Sequence, residues 1–129
     1  MQIIMLIGKP NCGKTTTCRL LFQELESWST IHKSTYKKDG GDFSCSLNFN
    51  HKEIIIKSAG DSRKRVNDAL GKCCDIVICT CRANFTDVID YARLISNGNI
   101  EKINKEEIVD VEAKNKIINI LKNIKKENQ

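Results

Sequence analysis

Eight consecutive residues, Gly8-Lys9-Pro10-Asn11-Cys12-Gly13-Lys14-Thr15, place two glycines around a short loop and follow them with a lysine and a hydroxyl. Each residue type suits the binding of a phosphate chain. Glycine permits backbone torsions and a close approach that a side chain would block, so successive N–H groups between Gly8 and Gly13 can turn inward onto an anion. A helix starting after Gly13 would add its unpaired N–H groups and the positive end of its dipole to the same cradle. Lys14 would then reach the β- and γ-phosphates as a compact positive charge. Thr15 would offer its hydroxyl to a Mg²⁺ shell, and Thr16 a further hydroxyl toward the α-phosphate side. Lys9, Pro10, Asn11 and Cys12 complete the loop that wraps the ligand. Cys12 lies beside Lys14 and near that helix start, a setting that lowers a thiol's pKa; it reads either as an oxidation-sensitive group or as a small residue that fits.

Such a loop works only if a strand delivers it and a helix leaves it, and the flanking residues supply both. Gln2 to Ile7 is a short continuous apolar run, the pattern of a strand buried on both faces. From 14 to 26 the period changes: Cys18, Leu21, Phe22 and Leu25 recur at helical spacing, with Glu24 and Glu26 turned away from that stripe. Downstream, Ser29 to Lys37 reads as an edge strand running into a charged glycine loop, Lys38 to Asp42. Phe43 to Phe49 and Glu53 to Lys57 flank Asn50-His51-Lys52 and read as a β-hairpin. Asp61 or Ser62 can cap a helix over 62–73. Asp75 to Cys81 is a second buried-type strand, and Phe85, Val88, Ile89, Ala92 and Ile95 form a helical face ending near Asn97-Gly98. A short strand over Ile100 to Ile103 precedes a helix from about Val109 to Lys126, whose Ile117, Leu121 and Ile124 share one side. That side is expected to dock on the sheet rather than meet a partner or a membrane. Strands alternating with helices predict a three-layer α/β/α sandwich with a mostly parallel central sheet and one antiparallel hairpin, all within one domain over residues 1–129.

Composition narrows the function classes. The 129 residues are 40% hydrophobic and 29% charged, and no stretch approaches the roughly 18 uncharged apolar residues of a membrane helix. With no basic segment or cleavage site ahead of Gly8, a cytoplasmic location is expected. The seven cysteines are odd in number and form no C-x-x-C pair, so they read as reduced, mostly buried thiols. The net charge of +5 arises in residues 1–72, where 12 Lys or Arg face 7 Asp or Glu. Aromatic residues make up only 5% and interleave with no basic stripe, which gives nucleic-acid binding little support and leaves a phosphate-bearing small ligand as the better reading.

The loop matches G-x-x-x-x-G-K-[ST], and over Gln2 to Thr17 the sequence resembles the P-loop NTPase superfamily, whose Walker A loop binds nucleoside triphosphates. The octapeptide looks most like that of small GTPases, but the rest of their signature is absent. Lys57-Ser58-Ala59-Gly60 stands where D-x-x-G is expected, with Lys57 in the aspartate's place. Thr80-Cys81-Arg82-Ala83-Asn84 stands where N-K-x-D is expected. ATP is therefore favoured over GTP. No apolar strand ends in an acid, so Asp61, just beyond the Ile54-Ile55-Ile56 strand, is the candidate second Mg²⁺ ligand and catalytic carboxylate, or else a helix cap. Arg82, at the end of an apolar strand, is the candidate for stabilising the transferring phosphoryl group beside Lys14 or for holding a second phosphorylated substrate; Arg63, Lys64 and Arg65 supply further positive charge. The resemblance implies a minimal ATPase that binds ATP and Mg²⁺, similar to small ATP-binding proteins of bacteria and their phages, with a protein partner left open. A small nucleotide or metabolite kinase and a non-catalytic nucleotide-binding adaptor are the alternatives.

Overall fold

The computed structural model describes residues 1–9, 12–28, 31–49, 51–60, 62–72 and 74–127, with the side chains of 31–35, 39 and 124–127 outside that description. Ten elements follow one another: β1 (Gln2–Ile7), α1 (Lys14–Glu26), β2 (Ile31–Asp39), β3 (Asp42–Phe49), β4 (Lys52–Lys57), α2 (Arg63–Leu70), β5 (Ile76–Cys81), α3 (Thr86–Ile95), β6 (Ile100–Asn104) and α4 (Asp110–Glu127). The strands form one sheet in the order β2-β3-β4-β5-β1-β6. β4, β5, β1 and β6 run parallel, and β3 and β2 extend the sheet antiparallel beyond β4.

Side-chain alternation explains the layers. β1 and β5 carry apolar residues at both parities, so each buries both faces, as strands in a parallel sheet must. Ile4, Leu6, Ile76 and Ile78 meet Cys18, Leu21 and Leu25 of α1 and Ala113, Ile117 and Leu121 of α4. On the opposite face Ile3, Met5, Val77 and Cys79 meet Val66, Ala69 and Leu70 of α2 and Val88 and Ala92 of α3. The result is the expected α/β/α sandwich. β3 differs: Phe43, Cys45, Leu47 and Phe49 are buried beneath α1 and α4, while Ser44, Ser46 and Asn48 alternate onto the other face. Phe22 of α1 anchors this extension, its ring 6.0 Å from Phe43 and 5.2 Å from Tyr36.

Two segments differ from the sequence reading. The charged loop expected over Lys38 to Asp42 is a tight turn: β2 continues to Asp39, which pairs with Asp42, and Gly40 takes the left-handed conformation at φ 62°. A second antiparallel hairpin, β2–β3, thus joins the predicted β3–β4 hairpin. The helix expected over 62–73 is shorter, because Ser62 caps it by accepting a hydrogen bond from Arg65 N and Gly71 closes it. Asp61, the other candidate cap, lies outside the described residues. The α4 face docks as expected at Ile117 and Leu121, both fully buried, with Lys114 paired to Glu24 of α1 at 3.0 Å; the Ile124 side chain lies outside the described residues. Among the described residues, no helix is long and apolar enough to cross a membrane.

Six cysteines are described and all are free thiols, four of them buried; Cys73 lies outside the description. Burial pushes the Cys45 and Cys79 thiols up to about 12 and Cys81 to about 11, from an ordinary value of 9.0, and raises Cys18 as well. A thiol with a folded pKa above its unfolded one holds its proton more tightly in the folded state. Its contribution is complete below pH 9.0 and is lost as pH climbs through the folded value. Urea midpoints should therefore fall steadily between pH 9 and 11, and more shallowly in Cys79→Ala than in wild type; equal slopes would show that these thiols do not drive the alkaline loss.

Candidate functional site

The glycine loop lies where β1 gives way to α1. Gly8 N donates to Cys81 O at 3.1 Å, which fixes the loop's entry to the end of β5. Gly13, at φ 94°, is the N-cap of α1, a left-handed conformation that a side chain would strain. A Cβ there would also collide with Asp110, and one at Gly8 would lie 2.6 Å from Cys12 Sγ. Gly13 is therefore demanded by torsion and by space, and Gly8 by space alone. Pro10 and Asn11 lie outside the described residues; Lys9 is exposed and 3.7 Å from Glu106.

Lys14 is 6% exposed, and its ammonium donates to Gly8 O at 2.9 Å and Lys9 O at 2.7 Å, with Cys12 Sγ 3.9 Å away. The charge is thus held inside the loop by carbonyls. Thr15 Oγ1 donates to Asp42 Oδ1 at 3.0 Å. Thr16 is exposed, while Thr17 is buried and donates to Gly13 O at 2.9 Å.

Asp42 was not singled out from sequence. It opens β3 directly after the Gly40-Gly41 turn, and that turn is tied to α1 by Arg19, whose guanidinium donates to Gly41 O at 2.8 Å. Ser58 Oγ donates to the same Asp42 oxygen at 3.3 Å and accepts from Phe43 N at 2.9 Å; Arg65 lies 3.8 Å from the other oxygen. Ser58 is held in turn by Thr80 Oγ1, which donates to its carbonyl at 2.8 Å. A Cβ on Gly60 would collide with Thr80, so the segment after β4 closes down on the end of β5. A hydroxyl and a carboxylate, both hard oxygen donors, therefore meet at the start of α1. Among the described residues no group of three or more His, Cys, Asp or Glu is placed to hold a metal. Mg²⁺ ordinarily takes one or two carboxylates together with substrate phosphates, so the pair is an adequate donor set for it.

The positive groups divide. Arg63 stacks 4.4 Å over the Phe85 ring and its Nε is 3.2 Å from Asp87, whose carboxyl that hydrogen bond holds below the ordinary range. Arg82, half-buried at the end of β5, has its guanidinium carbon 5.9 Å from the same ring. Lys64 is exposed. The Cys81 thiol is raised chiefly by burial, with the positive charge of Lys14 opposing, so the ammonium is felt at the end of β5.

Lys105 is the second residue missed from sequence. It follows β6 and is 5% exposed, donating to Cys12 O at 3.0 Å and Ile108 O at 3.1 Å and pairing with Asp110 at 2.6 Å. Asp110 Oδ1 also accepts from Thr17 Oγ1 at 3.3 Å. The first turn of α4 is thereby clasped to the glycine loop through one ammonium. A lysine after a short strand carries no motif, so only the fold identifies it.

Comparison with protein families matches residues 4–129 to the ATPase family associated with various cellular activities (AAA). Comparisons with curated proteins and with solved structures gave no match.

The clasp has a measurable strength. Lys105→Met leaves Asp110 and the Cys12 carbonyl without their charged partner and should lower unfolding free energy by about 1.5–3 kcal/mol. Adding Asp110→Asn should recover part of that loss in urea denaturation. A single variant as stable as wild type would mean that the clasp contributes nothing.

Proposed function

Because the chain belongs to the AAA family of ATPases, and so to the P-loop nucleotide-binding proteins, we propose that it binds ATP with Mg²⁺ in the loop 8–15 and hydrolyses it. The observation that carries the reading is the buried Lys14 ammonium bridging Gly8 O and Lys9 O at the N-terminus of α1, with Thr15 beside it on Asp42. Triphosphate oxygens would take over from those carbonyls. Backbone N–H groups of Cys12 to Thr16 and the dipole of α1 would hold the β-phosphate, with Lys14 between the β- and γ-phosphates.

Thr15 and Asp42 would hold Mg²⁺, which when bound neutralises charge on the β- and γ-oxygens. Ser58 keeps the Asp42 carboxylate turned toward Thr15. Asp61, the acid expected here from sequence, stays a candidate for the same role, and the two can be separated by experiment. In the reaction, water forms a bond to the γ-phosphorus as the bond to the β–γ bridging oxygen breaks. ADP leaves with that electron pair, and the water's proton passes to the phosphate product. Arg82 would stabilise the charge spreading over the γ-oxygens. β4 ends in Lys57, not in a carboxylate, so the last residue of that strand supplies no general base for the water.

A nucleotide-binding panel with and without Mg²⁺ tests the reading. Lys14→Ala should weaken ATP binding by roughly 10- to 100-fold, the loss of a charge-assisted contact; ATP binding as tight as wild type would end the proposal. Asp42→Asn should reduce Mg²⁺-dependent turnover far more than nucleotide affinity, and more than Asp61→Asn does. The reverse ranking would return the role to Asp61. Arg82→Ala should cost turnover about 10²-fold while leaving ATP affinity within a few-fold, and equal losses in both would instead assign it to ground-state binding.

A further inference from the structure

The antiparallel extension leaves one sheet face uncovered. α2 and α3 cover β1 and β5 on that side, and the corresponding face of β3 and β4 opens into a cavity of about 590 Å³. Its described lining includes Lys37, Ser44, Ser46, Ile55, Lys57 and Lys72. The volume falls within the range of small-molecule sites, roughly 300–1,000 Å³.

The strand register gives this face its chemistry. Lys37 is directly opposite Ser44, and Ser44 directly opposite Lys57, so one row across three strands reads lysine, hydroxyl, lysine. The two lysine Cα atoms are two strand spacings apart, about 10 Å. That is within reach for two long side chains to converge on one anion above Ser44. The next position along β3 and β4 pairs Ser46 with Ile55, which puts a second hydroxyl and a half-buried apolar surface beside the row. Lys72, just after α2, adds a third positive charge. Lys37, Lys57 and Lys72 form no ion pair with any described residue, and no described carboxylate lines the cavity. By register Asp39 and Asp42 share this face at one end and Glu53 at the other; Asp42 is engaged by Thr15 and Ser58, and the Asp39 side chain lies outside the described residues. Like charges held across one hydroxyl, with no counter-ion among the described residues, repel each other, and a dianionic group removes that cost.

We propose that this groove is a second ligand site, separate from the nucleotide loop, for a small phosphate monoester. The phosphate sits on the Lys37–Ser44–Lys57 row and accepts from both ammoniums and the hydroxyl. The organic part lies over Ile55 toward Lys72. A nucleic-acid backbone is the less favoured occupant, because only Tyr36 among the lining residues could stack a base and its ring is already stacked on Phe43 at 5.3 Å.

Amide NMR titration of the full chain, with ADP and Mg²⁺ in excess, separates the two sites. Gly8, Gly13 and Lys14 report the loop; Ser44, Ser46 and Lys57 report the groove. Ribose 5-phosphate should shift the groove amides saturably, with half-saturation below roughly 5 mM, and more tightly than inorganic phosphate, while ribose shifts nothing. Lys37→Ala or Lys57→Ala should weaken that response at least about tenfold, and Lys37→Glu/Lys57→Glu should abolish it with the rest of the spectrum intact. The proposal is overturned if ribose 5-phosphate leaves the groove amides unmoved, if the alanine variants respond as wild type does, or if a short single-stranded oligonucleotide saturates the groove at lower concentration than ribose 5-phosphate. Loss of ATP binding in Lys14→Ala leaves this readout unchanged.

Discussion

A buried ammonium sets the terms for the site. An isolated charge taken out of water is costly unless donors and acceptors around it replace the solvent. Lys14 finds two carbonyl acceptors in the loop that precedes it, Gly8 O and Lys9 O. Those carbonyls can face inward only if the chain curls tightly between β1 and α1. That curl needs the left-handed Gly13, and it needs Gly8 free of a side chain against Cys12. β1 is held on both faces by the core and Lys105 holds Cys12 O from the far side, so the curl is braced at entry and mid-loop. The charge is solvated by the loop's own carbonyls, so the curl is held together from within.

The sheet order decides which acid can meet that loop. β5 separates β1 from β4, so the end of β4 lies two strands, about 10 Å, from the end of β1. An antiparallel strand starts at the edge where its parallel neighbours finish. Asp42, the first residue of β3, therefore comes to the same edge as Ile7, Lys57 and Cys81, and the Arg19 contact to Gly41 draws its turn back over α1. A sequence search for an acid at the carboxyl end of a strand follows the logic of parallel sheets and passes over an acid at the start of an antiparallel one.

That pattern also explains what was legible in the sequence. The strand–loop–helix unit over residues 2–26 was readable because a continuous apolar run, a glycine pair and a helical stripe are each local signals. β5 and the apolar side of α4 were readable for the same reason. The second hairpin was obscured because Lys38-Asp39-Gly40-Gly41-Asp42 has the composition of a loop, while its outer residues pair in a ladder that only the partner strand reveals. Lys105 and Ser58 were invisible for a stronger reason. Their value lies in contacts 93 and 16 residues away along the chain, to Cys12 O and to Asp42, and no local spacing encodes those.

The same contrast between parallel and antiparallel strands divides the molecule into a structural and a chemical part. A parallel strand flanked by neighbours and reached by crossover helices is covered on both sides, and β1 and β5 accordingly spend nearly all their side chains on the two cores. They can present a ligand only with their ends. Antiparallel strands joined by tight turns bring no covering helix, so one face can stay solvated without breaking the fold. β3 satisfies the core through Phe43, Cys45, Leu47 and Phe49, which leaves Ser44 and Ser46 free of packing duty. The β2–β3–β4 extension can therefore display side-chain chemistry on a broad surface, which β1 and β5 cannot. It is there that Lys37 and Lys57 stand across Ser44, with no ion pair among the described residues.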